Sequence, residues 1–595
     1  MIARPKISRN ERKTTEIGAF EVGNFAPFSC PGLLTAAPLA AAAACWLERP
    51  RRLLPRCAII ALAAFVPFGA LELRRRSSAA TAGSWGDLTT AAGLWRHASR
   101  AEYGTFRLGA GRGAEGDAWR RAGAYLEWTA AQQGGSRVGL LLAALGAGAG
   151  LALERRVAAA VVGAWAFYVA AWHGVWSNLP IFGGNAMAYE VHARFWMQPH
   201  ALLCCAAGAG AAAVLALVDG ALANTLALLG PKPAGTAVRG VALAVASIVA
   251  LGRVETLYPA HDFGRDGLAM KAHGLAVLNG LPARSLLLSH SDLHWNPSRY
   301  LRTCERRRPD VEHVSLQLLP YPWFARQKRA YGNVSWPDVP PRPSTDVAAD
   351  AYEVMLSDAI AANLGGFPGG VYVDLHGVYE PRIGSLGRWR GFALVPWGVN
   401  FRAVPEAAVA ADFLPWVDAA LAQIDALRAT WAPLGGPQAA ARFRRGTWEH
   451  AARSAYNDAH YQLGLFCLTA AQELRRGLEA PRFPSYLRLL RNACVLISQA
   501  ADDAGALSSP ERDVVKNAAL AAVSLHGALA AGSGLAGRAP FGDGDLGPPD
   551  AGELAVVAVD ASARAAAFLG AHGAGDPDAA VFEDFLRKVA PRPGA

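Results

Sequence analysis

Six strongly apolar stretches rich in Ala, Gly, Leu and Val fall within the first 255 residues, and none is read in the 340 that follow. They lie at 31–47, 57–73, 138–153, 157–174, 200–218 and 237–253. Crossing a bilayer takes roughly 20 apolar residues, fewer when flanking side chains reach back to the interface. Backbone groups in hydrocarbon must bond within their own segment, so each stretch is expected as a helix. Small residues let such helices approach closely, which predicts a compact bundle. Buried helices of a soluble protein are the alternative, but six such runs exceed what soluble bundles carry. The runs hold almost no polar groups, which argues against a transporter.

A chain of 595 residues exceeds one core and predicts two to four domains. The net charge is +10. Arg49, Arg51, Arg52 and Arg56 flank apolar segments, so the charge reads as a topology signal. Nucleic acid is not expected, because no stacking or basic-groove pattern accompanies it. Of eight cysteines, Cys30, Cys45, Cys57, Cys204 and Cys205 sit in or beside apolar segments. Cys304, Cys467 and Cys494 lie beyond them, and no CxxC occurs. Zinc and a disulfide framework are therefore not expected. A single bridge through Cys304, or between Cys467 and Cys494, stays open if that half is secretory.

The short loops 48–56 and 154–156 are basic and are expected on the cytosolic side. The loops 74–137 and 175–199, and everything after 254, then face the opposite side. The sequon Asn333-Val334-Ser335 lies there and marks Asn333 as a glycosylation site. The N-terminus, with Arg4, Lys6, Arg9, Arg12 and Lys13, is basic yet falls on that same side. The expectation that follows is that further spanning helices stand before Met1.

Several unusual words occur in one order. They are WGDLTTAAGLWRHASRAEYGTF at 85–106, ARFWMQ at 193–198, SLLLSHSDLHWNPSRYLRTCERRRPDV at 285–311 and ALVPWGV at 393–399. This set resembles the multispanning protein O-mannosyltransferases that modify immunoglobulin-like plexin-type (IPT) domains in the endoplasmic reticulum. The resemblance covers most of 57–400 and fades in the C-terminal region. It implies a GT-C fold, a luminal site and a lipid-linked sugar donor, dolichyl-phosphate mannose. It also implies a Ser or Thr acceptor on a folded receptor domain, and no cofactor. The family's first luminal loop carries Gly-Asp-Ser-Gly-Glu and then His-Pro-Pro-Gly-Tyr, and this chain has neither. A catalytically inactive, membrane-anchored luminal binding homologue is therefore the second reading.

Transfer from a lipid phosphate needs a base for the acceptor proton and donors for the leaving phosphate. Asp87, in Trp85-Gly86-Asp87, is the acidic candidate; its other role is to cap a helix over 88–100. Glu102, Tyr103 and Gly104 close that helix, as substrate contacts or as a plain turn. His192, Arg194 and Gln198, with Trp196, form an aromatic and cationic patch before the fifth span. It suits headgroup anchoring, or a phosphate gripped by Arg194. Residues 115–133 predict an amphipathic helix at the membrane surface, with Trp119, Ala122, Tyr125, Leu126 and Trp128 on one side and Arg120 and Arg121 opposite. The GxGxxG match at 111–116 lacks a preceding strand and carries no dinucleotide reading.

Beyond the membrane half, 285–290, 314–319, 371–376 and 392–397 read as buried strands, with helices over 298–308 and 347–364. Such alternation predicts a mainly parallel sheet whose strand ends bind ligand. Those ends carry His290, Asp292, His294, Tyr321, Trp323, Asp374, His376 and Trp397, a rim suited to a glycan or an acceptor, with Asp292 and Trp323 as its substrate contacts. His290, Asp292 and His294 would share one strand face at metal spacing, although no metal is expected. Helices follow over 445–477, 484–502, 510–531 and 551–570, with Trp448, Tyr456, Tyr461, Leu463 and Phe466 in a hairpin core. Tetratricopeptide-like pairs are open, and 532–550 reads as a Gly/Pro loop.

The expected architecture is mixed: a partial, GT-C-like polytopic helical membrane domain, a soluble α/β domain and a C-terminal α-helical domain. The bounds read as 1–30 for an N-terminal segment, 31–255, 256–435 and 436–595. The expected setting is the endoplasmic reticulum membrane with the C-terminal half luminal. The expected partners are membrane lipid, the dolichyl-linked donor and luminal acceptor domains.

Overall fold

The computed structural model describes chiefly residues 90–98, 118–132, 138–170, 192–227, 263–338, 349–374, 388–434, 447–475, 483–507, 512–535 and 551–589. The expected spans 31–47, 57–73 and 237–253, the GxGxxG segment and residues 536–550 of the expected 532–550 loop lie outside the described residues, while 532–535 continue a helix and correct the start of that loop.

In the membrane half, helix α1 covers Ala91–Ala98. It begins where the Thr90 hydroxyl accepts from the Gly93 amide at 3.0 Å. The cap is thus Thr90, and the expected start at 88 under Asp87 is corrected. The amphipathic α2 covers Ala118–Gln132, α3 Val138–Leu153, α4 Arg155–Phe167 and α5 Met197–Ala227. Within α5, Gln198–Val218 is long and apolar enough to cross a membrane, and Gly139–Leu153 in α3 is a shorter apolar helix. Only Glu154 separates α3 from α4.

Helices α3 and α5 touch backbone to backbone. A methyl on Gly146 would run into the Ala206 carbonyl oxygen and sit 2.5 Å from the Gly210 nitrogen. A methyl on Gly210 would meet the Leu142 carbonyl and lie 2.9 Å from the Gly146 nitrogen. Two glycines at one crossing give the close approach that small residues were expected to permit.

In the soluble half, α6 (Phe263–Asn279) leads into β1 (Leu286–Ser289), α7 (Asp292–Thr303) and β2 (Glu312–Ser315). Then come α8 (Ala349–Asn363), β3 (Val371–Asp374), β4 (Arg388–Trp389), β5 (Phe392–Trp397), β6 (Asn400–Pro405) and α9 (Leu414–Trp431). The six strands lie in the order β2-β1-β3-β6-β5-β4. The β1 strand pairs parallel with β2 and β3, and every other pairing is antiparallel. The expected mainly parallel sheet is corrected, since three of its five pairings are antiparallel. The chain turns back after Trp397 through Gly398 and Val399, so that Trp397 faces Asn400. Gly398 holds φ at 60°, which fits the first position of a two-residue hairpin turn.

Helix α7 also starts earlier than expected, at 292 instead of 298. Ser291 caps it, and Pro297 sits inside the helix rather than before it. Successive strand residues point to opposite faces, so two cores form. Leu286, Leu288, Val371 and Val373 join Phe324, Leu356 and Ile360 on one side. Leu287, Tyr372, Ala393 and Val395 pack on the other with Ile424, Tyr456, Leu463 and Ile497.

The second core thus continues into α10 (Trp448–Arg475) and α11 (Phe483–Leu507). Gly464 lets these two meet, since a methyl there would lie 2.5 Å from Ile497 Cγ1. Next come α12 (Arg512–Leu535), α13 (Ala551–His572) and α14 (Ala579–Val589). Two stretches here, Arg512–Ala531 and Gly552–His572, are also long and apolar enough to cross a membrane. The expectation that no such run follows residue 255 is corrected. Ala and Val raise their hydropathy, but both stretches carry paired charges. Glu553 bonds Arg491 at 2.7 Å, Arg564 reaches Asp502 at 3.1 Å, and Lys516 reaches Asp578 at 2.6 Å. Ala519 and Ala522 pack with Ala561, Ala565 and Phe568 in a shared core. Ion pairs of this kind suit a bundle packed in water. Cys304, Cys467 and Cys494 are free thiols, and burial pushes the Cys467 thiol up to about 12.

Candidate functional site

Two clusters of chemistry-bearing side chains stand out, one beside the membrane helices and one at the sheet edge. The first is built on Trp196, which is fully buried. Its ring centre lies 5.4 Å from Trp128, 6.1 Å from Tyr125, 5.2 Å from Tyr189 and 5.5 Å from His192. The indole of Trp165 donates to the Tyr125 hydroxyl at 3.2 Å, and the Tyr168 hydroxyl donates to Gln198 Oε1 at 3.2 Å. Trp196 is thus the hub of an aromatic nest and not an exposed interfacial anchor.

Helix α2 turns Ala124, Tyr125, Thr129 and Arg121 inward, and Arg121 is 4% exposed. Trp119 is 87% exposed and Leu126 also faces outward. The expectation that Arg121 opposes the Tyr125 face is corrected. At 100° per residue, 121, 125 and 128 share one side of a helix. Burial and the Arg121 charge push His192 down to about 3. His192 is therefore neutral at physiological pH beside a permanently charged guanidinium. His192 thus belongs to the nest, whereas Gln198 is exposed and holds the Tyr168 hydroxyl. Arg194 lies on the turn Arg194–Trp196, and its side chain lies outside the described residues. Trp85, Asp87, Glu102 and Tyr103 also lie outside them.

The second cluster caps the carboxyl ends of β1, β3 and β5. Asp374 is fully buried. Its Oδ2 accepts the amides of His290 at 2.6 Å and Ser291 at 2.9 Å, while Oδ1 meets no partner. Ser291 in turn accepts from the His294 amide. His294 Nε2 lies 3.2 Å from the Val399 carbonyl, so that nitrogen carries the proton. Burial holds the His294 pKa below its ordinary value, and the ring is neutral. On the next strand, Ser289 Oγ and His313 Nε2 are 2.8 Å apart.

His290, Asp292, His294 and Asp374 stand at the sheet edge where the sequence puts them, but all four are buried. They hold the loop from β1 to α7 instead of lining an open rim. Nor do His290, Asp292 and His294 share a strand face, because β1 ends at Ser289 and Asp292 already opens a helix. No metal-holding group of His, Cys, Asp and Glu occurs among the described residues. Trp323 stacks on Tyr321 with ring centres 5.1 Å apart, and Trp397 points its indole N–H at the Gly280 carbonyl. His376 lies outside the described residues. Asn333 sits exposed in a turn, where a glycan has room. Sequence reasoning missed Arg121 as an inward group and did not single out Arg402. The signal for the second was an arginine between buried neighbours in the middle of a strand.

Comparison with known proteins bears on this arrangement. Over 303 residues the chain is 27% identical to the protein O-mannosyl-transferase tmem260 of Dictyostelium discoideum, covering 48% of this chain and 35% of that protein. Over 252 residues it is 26% identical to the protein O-mannosyl-transferase TMEM260 of Mus musculus, covering 40% of this chain and 32% of that protein. The chain is a partial relative of the protein O-mannosyltransferases. It spans about a third of the length of these O-mannosyltransferase relatives. No family model and no solved structure matches the chain.

Proposed function

We propose that the chain is a membrane glycosyltransferase of the protein O-mannosyltransferase type. It moves mannose from dolichyl-phosphate mannose to Ser or Thr of luminal IPT domains in the endoplasmic reticulum. The observation that carries the reading is the extended similarity to two proteins named as O-mannosyltransferases. Gln198–Val218, long and apolar enough to cross a membrane, agrees with it.

Chemically, the acceptor hydroxyl must lose a proton while the mannosyl bond to phosphate breaks. The departing phosphate gains negative charge, which a preorganised cation in a water-poor site stabilises. Arg121, buried on the amphipathic helix beside neutral His192, supplies such a cation on this chain. Arg194 stands on the same turn as Trp196 and is the second candidate. Asp87 is the candidate base.

The test uses membranes from cells that lack their own enzyme and express the full chain, supplied with dolichyl-phosphate mannose and an isolated IPT domain. Mass spectrometry is expected to find a hexose on Ser or Thr. An unmodified domain, with the chain present and folded, refutes the reading.

A further inference from the structure

The soluble half holds a cation that the proposed transfer does not use. Arg402 sits in the middle of β6, opposite Tyr372 on β3 and Val395 on β5. Its guanidinium carbon lies 5.4 Å from the ring centre of Trp397, 5.4 Å from Trp416 and 5.9 Å from Tyr372. Attraction between a cation and each ring face is worth about 0.5–2 kcal/mol.

The rings are themselves fixed. Trp397 Nε1 donates to the Gly280 carbonyl at 2.7 Å, the Tyr372 hydroxyl to the Gly369 carbonyl at 3.2 Å, and Trp416 Nε1 to the Ala408 carbonyl at 3.4 Å. Gly370, with φ at 95°, leaves the guanidinium its space, since a methyl there would stand 3.3 Å from Arg402 Nε. The cation is therefore held in place before any ligand arrives.

Among the described residues it also has no counter-ion. The neighbouring sheet arginine, Arg388, reaches Glu406 at 3.6 Å and Glu473 at 3.1 Å. Among the described residues no carboxylate and no hydrogen-bond acceptor meets Arg402, and its Nε is sealed from solvent without a partner. Its two Nη groups are not sealed. A desolvated donor without an acceptor costs about 1–3 kcal/mol, which ring faces only partly return. The open Nη edge presents two parallel N–H donors, the spacing that two oxygens of one carboxylate match. The flat rings around it favour a planar group over a tetrahedral one.

We propose that Arg402, in its cage of Tyr372, Trp397 and Trp416, is a binding site for a carboxylate. The carboxylate comes from a free organic acid or from an acidic side chain on a protein partner. The site makes no use of the sugar-transfer reading and stands or falls separately from it.

The test takes the full chain in lipid nanodiscs and follows the anisotropy of two fluorescein-labelled peptides, one rich in glutamate and its glutamine counterpart. The glutamate peptide is expected to bind at least tenfold more tightly. Arg402→Gln erases that preference, and Arg402→Lys keeps only part of it, because an ammonium lacks the planar fork. Trp416→Leu leaves the charge in place and is expected to weaken binding severalfold, so the site remains testable if Arg402→Gln does not fold. Displacement of the peptide by succinate, and not by succinamide, supports the free-acid source. Retention of the peptide against succinate supports the protein source. Equal binding of the two peptides, a preference surviving Arg402→Gln, or inorganic phosphate competing better than succinate overturns the proposal.

Discussion

Gly146 and Gly148 lie on the same helix, two residues apart, and differ in one respect. An added methyl at Gly148 meets nothing within 4 Å, whereas at Gly146 it strikes α5, with the Gly210 nitrogen 2.5 Å away. Ala is favoured over Gly in a helix by about 1 kcal/mol, so both Gly→Ala changes gain the same local term. At Gly146 that gain is opposed. Ordinary contact begins near 3.5 Å, so α3 and α5 must part by on the order of 1 Å. Overpacking of this kind costs about 1–3 kcal/mol. A gap of that width also forfeits a quarter to a half of each attraction across the crossing.

Gly148→Ala is thus expected to stabilise by up to about 1 kcal/mol and Gly146→Ala to destabilise by about 1–2 kcal/mol net. Gly210→Ala acts on the same crossing. The double variant Gly146→Ala/Gly210→Ala is expected to lose less than the sum, because helices already parted have little left to lose. Unfolding of the full chain in micelles, titrated with a denaturing detergent and followed by circular dichroism, measures these differences. Equal stability of Gly146→Ala and Gly148→Ala, or strict additivity of Gly146→Ala and Gly210→Ala, would refute the crossing.

Three further outcomes are expected. His460, whose Nδ1 donates to the Tyr456 carbonyl at 2.9 Å, is pushed by burial down to about 4. Its contribution is complete above its unfolded value near 6.5 and is lost as pH falls from there toward about 4, by on the order of 3 kcal/mol at most; His460→Gln flattens that part of the stability–pH curve. Asp374→Ala leaves the amides of His290 and Ser291 without their acceptor, at about 2–4 kcal/mol, and hydrogen exchange at those two amides is expected to accelerate. Asn333→Gln is expected to remove one glycan's mass on a gel of the chain from eukaryotic cells, and an unchanged mobility refutes a luminal soluble half.

Much of the helical structure was legible because its signals are redundant. Unbroken Ala/Leu runs placed α3 and α5, and apolar recurrence at three and four placed α10 through α13 within a few residues. The sheet was only half legible. Its strands are buried on both faces, which erases the alternation that separates a returning hairpin from a parallel crossover. Only Gly398 carried that information. Pro297 drew the expected start of α7 past the true cap at Ser291, since proline ordinarily opens a helix. On α2, Trp119 is exposed while Tyr125 and Arg121 share the buried side, so residue type alone did not fix the faces. The position of His192 and Gln198 near the start of α5 was legible because they abut an apolar run. Arg402 was not, because its cage gathers Tyr372, Trp397 and Trp416 from three separate segments.

The charges pinned between α11 and α13 bear on how the chain sorts its own parts during synthesis. A nascent segment partitions between lipid and water by its own make-up. Judged alone, Gly552–His572 is greasy enough for the bilayer. Arg491 and Asp502 precede it in the chain, so the countercharges for Glu553 and Arg564 already exist when it emerges. Neutralising Arg491 would strand Glu553 and narrow the margin between the two solvents, whereas Arg564 would keep Asp560 on its own helix at 3.0 Å. Sequence order itself thereby supplies Glu553 with its partner before this rod is complete.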